Sequence, residues 1–423
     1  MSDEWGRERV EPDWRSERVE PMAVGPPRRR RTRADRLREA RGRRKRRMAS
    51  GLALGILIVV VLGVVFLGSK LWHGVFGTGS DYTGDGVSDV VIQVHEGDST
   101  TAIGQTLQDH EVVATSAAFV SAAQGNDTIS AIQPGFYKVR TEIPAANAVA
   151  RLADPQNRVG KLVIPEGRQL DDIQDVKTNA VTDGILSLIS KATCVDLDGE
   201  RHCVAPDALK ESAKSADLSA LSVPEWALGP VKAMGQDHRR LEGLIAPGSW
   251  NIDPSAQPTD ILSTLVAASA TQYAQGGLLD TAKAMNMSPY QILTVGSLVQ
   301  REATPEDFAK VARVIYNRLG ENRTLEFDST VNYPLDRIEV ATTDGDRAQH
   351  TPWNTYVRPG LPATPICSPG QPALAAAEKP EPGDWLYFVT IDKQGTTLFT
   401  RDYPQHLANI ELAMRNGVLD SSR

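Results

Sequence analysis

Ser288-Pro-Tyr-Gln-Ile-Leu-Thr-Val-Gly-Ser-Leu-Val-Gln-Arg-Glu302 reads as a single helix. Serine at the N-cap accepts a hydrogen bond from a first-turn N–H that has no other partner. Proline at the first helical position has φ already set and no N–H to satisfy. Ile292, Leu293, Val295, Leu298 and Val299 give the helix a broad apolar face, and the pattern ends at Glu302. Thr304-Pro305-Glu306-Asp307 repeats the start signal. Phe308, Val311, Ala312, Ile315 and Leu319 then recur at i, i+3, i+4, i+7 up to Gly320. Glu302 thus sits at the C-terminal end of an apolar-faced helix, just before the turn into a second one.

A carboxyl walled by apolar side chains is costly to ionise, so its pKa rises. An acid still protonated near neutral pH can protonate a glycosidic oxygen. A solvated helix end also often carries a glutamate, and the helix pattern by itself does not separate the two readings.

Outward from this pair, Leu241–Trp250 is a turn-rich entry and 259–273 a long helix. Further upstream, Val90–His95 reads as a strand, followed by the turn Glu96-Gly97-Asp98 and a helix marked by Ala102, Ile103 and Leu107. A second helix lies within Val112–Ala123, entered through Thr115-Ser116, and Gly135–Val139 is a returning strand. This strand–helix–helix–strand order resembles a LysM-type carbohydrate-binding unit. The opening recurs: strand Lys161–Pro165, turn Glu166-Gly167-Arg168, and a helix pattern at Leu170, Ile173 and Val176. Residues 185–235 are loop-rich.

The net charge of -7 over 423 residues is unevenly spread. Residues 1–47 hold 17 Lys/Arg against 9 Asp/Glu, and the remainder is strongly acidic. Such a basic arm needs an anionic neighbour, lipid or nucleic acid. The next segment selects lipid. Residues 48–69 are uncharged, and about 20 apolar residues at ~1.5 Å rise span the ~30 Å hydrocarbon layer. Arg41–Arg47 on one side and Lys70 with Trp72 on the other orient an anchor with a cytoplasmic N-terminus. A cleaved signal peptide is the competing reading. Against it stand the length of the apolar run, the long basic segment before it and the lack of a small-x-small cleavage site. The tail's near repeat, Trp5–Pro12 and Trp14–Pro21, is either a docking motif or a duplicated solvated stretch. Beyond the anchor, Cys194 and Cys203 enclose eight residues of turn character. A disulfide is favoured there over two reduced thiols, and Cys367 is left unpaired. The seven histidines show no metal-ligand spacing.

Several ordered blocks carry a resemblance. They are Leu293–Glu302 with Val314-Ile-Tyr-Asn-Arg-Leu319, Leu325-Glu-Phe-Asp-Ser-Thr-Val-Asn-Tyr333, and Trp353-Asn-Thr-Tyr-Val-Arg-Pro-Gly-Leu-Pro-Ala-Thr-Pro-Ile-Cys-Ser-Pro-Gly370. Val163-Ile-Pro-Glu-Gly167, Leu241-Glu-Gly243 and a closing strand–hairpin–helix from Trp385 through Phe399 and His406 agree in place. Together they resemble the endolytic murein transglycosylase (MltG/YceG-like) family over most of 89–415. This chain departs from the family pattern in having Gln300 for a Glu, Arg301 for Lys, Ala303 for Thr, Ser329 for Pro, and Cys367 at a position usually polar or small.

These readings together give an α+β chain: tail 1–47, transmembrane helix 48–69, linker 70–88, LysM-like subdomain 89–160, intermediate α+β segment 161–240 with the Cys194/Cys203 loop, and, from the resemblance, a catalytic domain 241–423. The resemblance implies a lyase that cuts the MurNAc–GlcNAc β-1,4 bond of nascent strands, leaves 1,6-anhydro-MurNAc ends and terminates strand elongation. Glu302 is the expected acid/base. Asn317, Asp328, Asn354, Thr355 and Tyr356 are the expected substrate contacts, with Asn317 alternatively orienting Glu302 or a plain helix-surface amide, Asp328 alternatively a residue that fixes the fold, and Asn354–Tyr356 alternatively a structural turn. Arg318 is expected to pair with Asp328, with a substrate carboxylate, or as a plain surface ion pair. No cofactor, metal or nucleic acid is implied. The expected partners are glycan strands, the cell membrane and peptidoglycan synthases. A non-catalytic glycan-binding scaffold and a muramidase pairing Glu302 with Asp328 remain alternative readings.

Overall fold

The first core is small and is built on a strand pair. In the computed structural model, which describes residues 80–338 and 342–418, β1 (Asp89–Val94) and β2 (Gly135–Arg140) pair antiparallel from Asp89↔Arg140 to Val94↔Gly135. Between them lie α1 (Thr100–Asp109) and α2 (Ser116–Ala123). Ser99 and Thr115 cap these helices by accepting from the N–H groups of Ala102 and Ala118. The expected strand–helix–helix–strand order is present. It is extended by α3 (Ala145–Ala153) and by β3 (Arg158–Val159), which pairs with β2. Ile92, Leu107, Phe119, Val139 and Leu152 fill this core.

A second, larger core runs from Leu162 to Ala377, so the stretches 161–240 and 241–423 share it. In β4 (Lys161–Ile164) Leu162 and Ile164 point inward while Lys161 and Val163 point out, the period-two signature of a half-buried strand. The pattern at Leu170, Ile173 and Val176 is not a helix. Ile173–Asp175 is a strand, β5, paired with β6 (Val181–Thr182) and, parallel, with Arg337–Ile338. Buried Leu170 spends its N–H on the Glu242 carboxylate and its carbonyl on Leu186, so the backbone is held extended before a helical turn can close. The helix comes later, as α4 (Ile185–Ala192), with Ile185, Leu186 and Ile189 buried.

Cys194 and Cys203 form the favoured disulfide, closing the hairpin of β7 (Val195–Leu197) and β8 (Glu200–His202). The hairpin is tied to the small core's sheet. Asp89 and Asp198 each accept the other's backbone N–H at 3.0 Å, and Lys138 Nζ donates to the Asp196 carbonyl at 2.9 Å.

After α5 (Pro206–Ser215), α6 (Glu225–Ala233) and β9 (Gly248–Asn251), which pairs with β4, come α7 (Pro258–Gln275) and α8 (Leu278–Met285). The central helix α9 (Pro289–Glu302) has the expected start. Ser288 and Gln291 form a reciprocal capping box, and Tyr290, Ile292, Leu293, Val295, Leu298 and Val299 are buried. The next start differs from expectation. Thr304–Asp307 is a free-standing turn closed by Asp307 N–H to Thr304 O at 3.0 Å. Helix α10 (Phe308–Gly320) begins after it, with no side-chain cap. The Asp307 carboxylate lies against Lys310 instead. The helix Gln371–Glu378 packs on both α9 and α10, Leu374 resting on Gly296 of α9. The chain ends in the expected hairpin, strand Tyr387–Thr390 with strand Thr397–Thr400, and a helix over Tyr403–Arg415. Among the described residues no helix is long and apolar enough to cross a membrane. The tail 1–47, the spanning segment 48–69 and the linker as far as residue 79 lie outside the described residues.

Candidate active site

Glu302 is the last residue of α9, and Ala303 leaves the helix in an extended conformation. Val295, Leu298 and Val299 on the preceding turns are fully buried, so one helix-length of apolar packing leads to this carboxyl. Opposite it stands α11 (Asp328–Asn332), which follows Phe327 in the core. Burial pushes the Glu302 carboxyl up to about 7. The Ser329 hydroxyl and amide pull it down, the neighbouring Asp328 charge pushes it up, and Arg301 pulls it down. The carbonyl end of α9 acts in the same direction as burial, because a helix C-terminus disfavours negative charge. Ser329 Oγ is itself buried and has no hydrogen-bond partner, so it faces Glu302 without closing on it.

Asp328 is held from three sides. Its Oδ1 accepts from Tyr356 Oη at 2.7 Å, Thr342 Oγ1 at 2.6 Å and Arg347 Nε at 3.2 Å, and its Oδ2 accepts from Arg347 Nη2 at 3.3 Å. The Arg347 guanidinium also lies 5.2 Å from the Tyr356 ring centre. Burial and the Asp328 charge hold the Tyr356 hydroxyl above its ordinary pKa, and Glu302 adds to that rise. Tyr356 is therefore a protonated donor at working pH, within electrostatic reach of both carboxyls.

The remaining expected contacts sit in the frame around this cluster. Asn354 is buried, its Nδ2 donating to the carbonyls of Arg347 and Gln349 and its Oδ1 accepting from Tyr356 N–H. That is the structural-turn alternative. Thr355 is buried too. It fastens this turn to α11 through Phe327 N–H and Thr330 Oγ1. Asn317 Nδ2 donates to the carbonyls of Gly383 and Trp385, tying α10 to the strand before the closing hairpin. Arg318 does not pair with Asp328. Its donors go to the carbonyls of Leu386, Thr324 and Leu325 and to Glu326, and Arg347 occupies the position beside Asp328.

Arg347 and Thr342 lie outside every block the sequence singled out, and nothing in their immediate neighbours marks them. A second buried carboxyl, Glu242, was marked only by its place in Leu241-Glu-Gly243. Burial pushes it up to about 7, while Leu170 N–H (3.0 Å) and Tyr333 Oη (2.8 Å) donate to its Oε2; its Oε1 has no partner. Tyr333 directly follows α11, so this bond fixes the far end of the segment that presents Asp328 and Ser329.

The chain is similar to known proteins over most of its length. The model of the YceG-like family matches residues 92–412. The endolytic murein transglycosylase of Bacillus subtilis (strain 168) is 26% identical over 325 residues, covering 76% of this chain and 84% of that protein. The endolytic murein transglycosylase of Streptococcus pneumoniae serotype 2 is 25% identical over 76% of this chain, which spans only 58% of that protein's length. A crystal structure of a yceG-like protein from Listeria monocytogenes is 24% identical, with a TM-score of 0.46, and covers 76% of this chain and 98% of that one.

Proposed function

The chain belongs to the YceG-like family, and from that premise we propose that it is a murein lytic transglycosylase with Glu302 as its catalytic acid and base. The observation that carries this reading is the state of Glu302: a carboxyl pushed up to about 7 at the end of an apolar helix, facing the Asp328–Ser329 segment. Its relatives are named for cutting murein, and this acid is suited to that bond.

Glu302, protonated, donates to the oxygen on C1 of an N-acetylmuramoyl residue as the bond to the next sugar breaks. The resulting carboxylate then takes the proton of that sugar's own 6-hydroxyl, whose oxygen closes on C1. The product carries a 1,6-anhydro end, and no water is consumed. One carboxyl acting twice suffices, and a pKa near the working pH serves both steps. A retaining hydrolase would need a second free carboxylate ~5 Å away as nucleophile. Asp328 is poorly suited to that role, because Tyr356, Thr342 and Arg347 already occupy its oxygens. It positions Tyr356 and holds negative charge beside Glu302.

The apolar run 48–69 and the basic segment before it support a membrane-anchored enzyme with its catalytic part outside the cytoplasmic membrane. There it would act on nascent strands near the synthases that make them. Mass spectrometry of fragments released from uncrosslinked glycan tests the reaction. The wild type releases anhydro-ended products and Glu302→Gln releases none. Reducing ends would instead identify a hydrolase, and glycan binding without turnover a scaffold.

A further inference from the structure

An enzyme that cuts inside a strand must grip sugars beyond the scissile bond, and a cavity lies against the loop at 369–371, which Gln300 fastens to the helix that carries Glu302. It has a volume of about 270 Å³. Buried Ile164, Tyr273 and Leu374 form its floor, prolines 165, 247 and 369 its sides, and Glu166, Gln272 and Gln371 its polar rim. Apolar faces under a rim of carboxylate and amides match a pyranose ring, whose C–H faces are apolar and whose edges carry hydroxyl and acetamido groups.

The two loops that line this cavity are joined to each other and to α9. Gly167 N–H donates to the Ser368 carbonyl and Ser368 N–H to the Arg168 carbonyl, both at 2.8 Å, so the turn at 165–168 and the loop at 368–370 form one unit. Gln300 Oε1 accepts the Gly370 N–H at 2.8 Å, and Gln300 Cγ lies against Gly167. Gln300 is two residues before Glu302, which fixes the unit to the helix that carries the acid. The Glu166 carboxyl lies directly over the α-carbon of Gly370, where a Cβ would sit only 2.1 Å from it. Neither the Glu166 carboxyl nor the side-chain amides of Gln272 and Gln371 have a hydrogen bond or ion pair among the described residues. All three are free to meet a ligand.

We propose that this cavity is a glycan subsite that takes an N-acetylated sugar of the strand remote from the cleaved bond, with Glu166 accepting from its hydroxyls and Gln371 pairing with its acetamido group. The proposal rests on the glycan-cleaving reading above and names how the strand is gripped. The full chain carrying Glu302→Gln is titrated with an uncrosslinked eight-sugar GlcNAc–MurNAc glycan, alone and combined with Glu166→Ala or Gly370→Ala. The Ala at 370 keeps the Glu166 charge but displaces it. Both combinations are expected to bind about ten-fold more weakly, the loss of one charge-assisted hydrogen bond, with unfolding midpoints that stay cooperative. In the otherwise wild-type chain Glu166→Ala raises KM and leaves kcat within about two-fold, because the contact is made equally before and during bond cleavage. Binding unchanged in both combinations overturns the subsite even if the wild type makes anhydro ends. Glu166-dependent binding with no anhydro product from the wild type keeps the subsite and removes the transglycosylase reading instead.

Discussion

Tyr356 donates a 2.7 Å hydrogen bond to Asp328 across 28 residues of sequence, and through it the turn after Trp353 is locked to the helix facing Glu302, the proposed acid. The same Asp328 oxygen also accepts from Thr342 and Arg347, so this one carboxylate organises three chain segments. Its charge reaches Glu302 as well, raising the pKa of that carboxyl. Asp328 thus both builds the site and tunes its acid, and the two effects can be measured separately.

Asp328→Asn keeps the acceptor for Tyr356 and removes the charge. A carboxyl near another negative charge is held protonated to higher pH, so taking the charge away lowers the Glu302 pKa. The activity kcat/KM of an enzyme that needs protonated Glu302 falls as pH rises through that pKa, about 7 in the native protein. In Asp328→Asn this falling limb moves to lower pH. A pH–rate profile whose limb stays in place, or moves upward, contradicts the assignment.

Asn354 separates framework from substrate contact. Its side chain is about 1% exposed and makes hydrogen bonds to three backbone groups. Asn354→Ala leaves two carbonyls and one N–H of a buried turn without partners, at a cost of roughly 2–4 kcal/mol. Urea unfolding should show that loss in the absence of any glycan. An unchanged midpoint together with a raised KM would return Asn354 to the list of sugar ligands.

Much of this arrangement was legible in the sequence because it is written locally. The Ser288-Pro289 start, the apolar face ending at Glu302, and the alternation in Lys161–Ile164 are all periods or caps read within one element. The errors arose where long-range partners overrode local pattern. Leu170, Ile173 and Val176 have helical spacing, yet the Leu170 amide is claimed by Glu242, 72 residues away, and the segment runs extended. Thr304-Pro305 has the residues of a helix start, yet the helix waits until Phe308 reaches the core. Arg318 lies closer to Asp328 in sequence than Arg347 does, yet the fold brings Arg347 to it.

Buried Glu242 makes stability depend on pH in a set direction. Its folded pKa, about 7, lies above the model-peptide value of 4.5. Between those values the folded state binds the extra proton. The contribution of Glu242 to stability is therefore fully present below about 4.5, is lost as pH rises to about 7, and stays lost above it. The full effect is on the order of 3 kcal/mol for a group this buried. Glu242→Gln keeps an acceptor for Leu170 N–H and Tyr333 Oη and never ionises. Denaturant midpoints at pH 5 and pH 8 should differ less in Glu242→Gln than in the wild type. Equal differences would mean that Glu242 does not carry the penalty.

The Cys194–Cys203 bond closes a loop with a sequence separation of 9, and loop-closure entropy for that length gives about 2–3 kcal/mol. The hairpin it closes holds the small core's sheet through Asp198 and Asp89. Replacing both cysteines by Ser should lower the thermal midpoint, and reductant should lower that of the wild type while leaving the double variant unchanged. Sensitivity to reductant that persists in the double variant would place the redox effect elsewhere.

Ser329 provides the opposite shift to Asp328. Its hydroxyl and amide face the Glu302 carboxyl and lower its pKa, and the hydroxyl, buried and unpartnered in the free enzyme, is available to the carboxylate once Glu302 has given up its proton. Ser329→Ala removes the hydroxyl alone. Ser329→Pro, which restores the residue of the family pattern, removes the hydroxyl and the N–H together. Both changes remove stabilisation of the ionised form, so the falling limb of kcat/KM moves to higher pH, further in Ser329→Pro than in Ser329→Ala. Proline is compatible with the first turn of α11, because a first-turn N–H has no intrahelical partner to lose. The order of three limbs is therefore fixed in advance: Asp328→Asn lowest, wild type between, Ser329→Ala above it. A profile for Ser329→Ala that coincides with the wild type would show that the hydroxyl leaves the acid untouched.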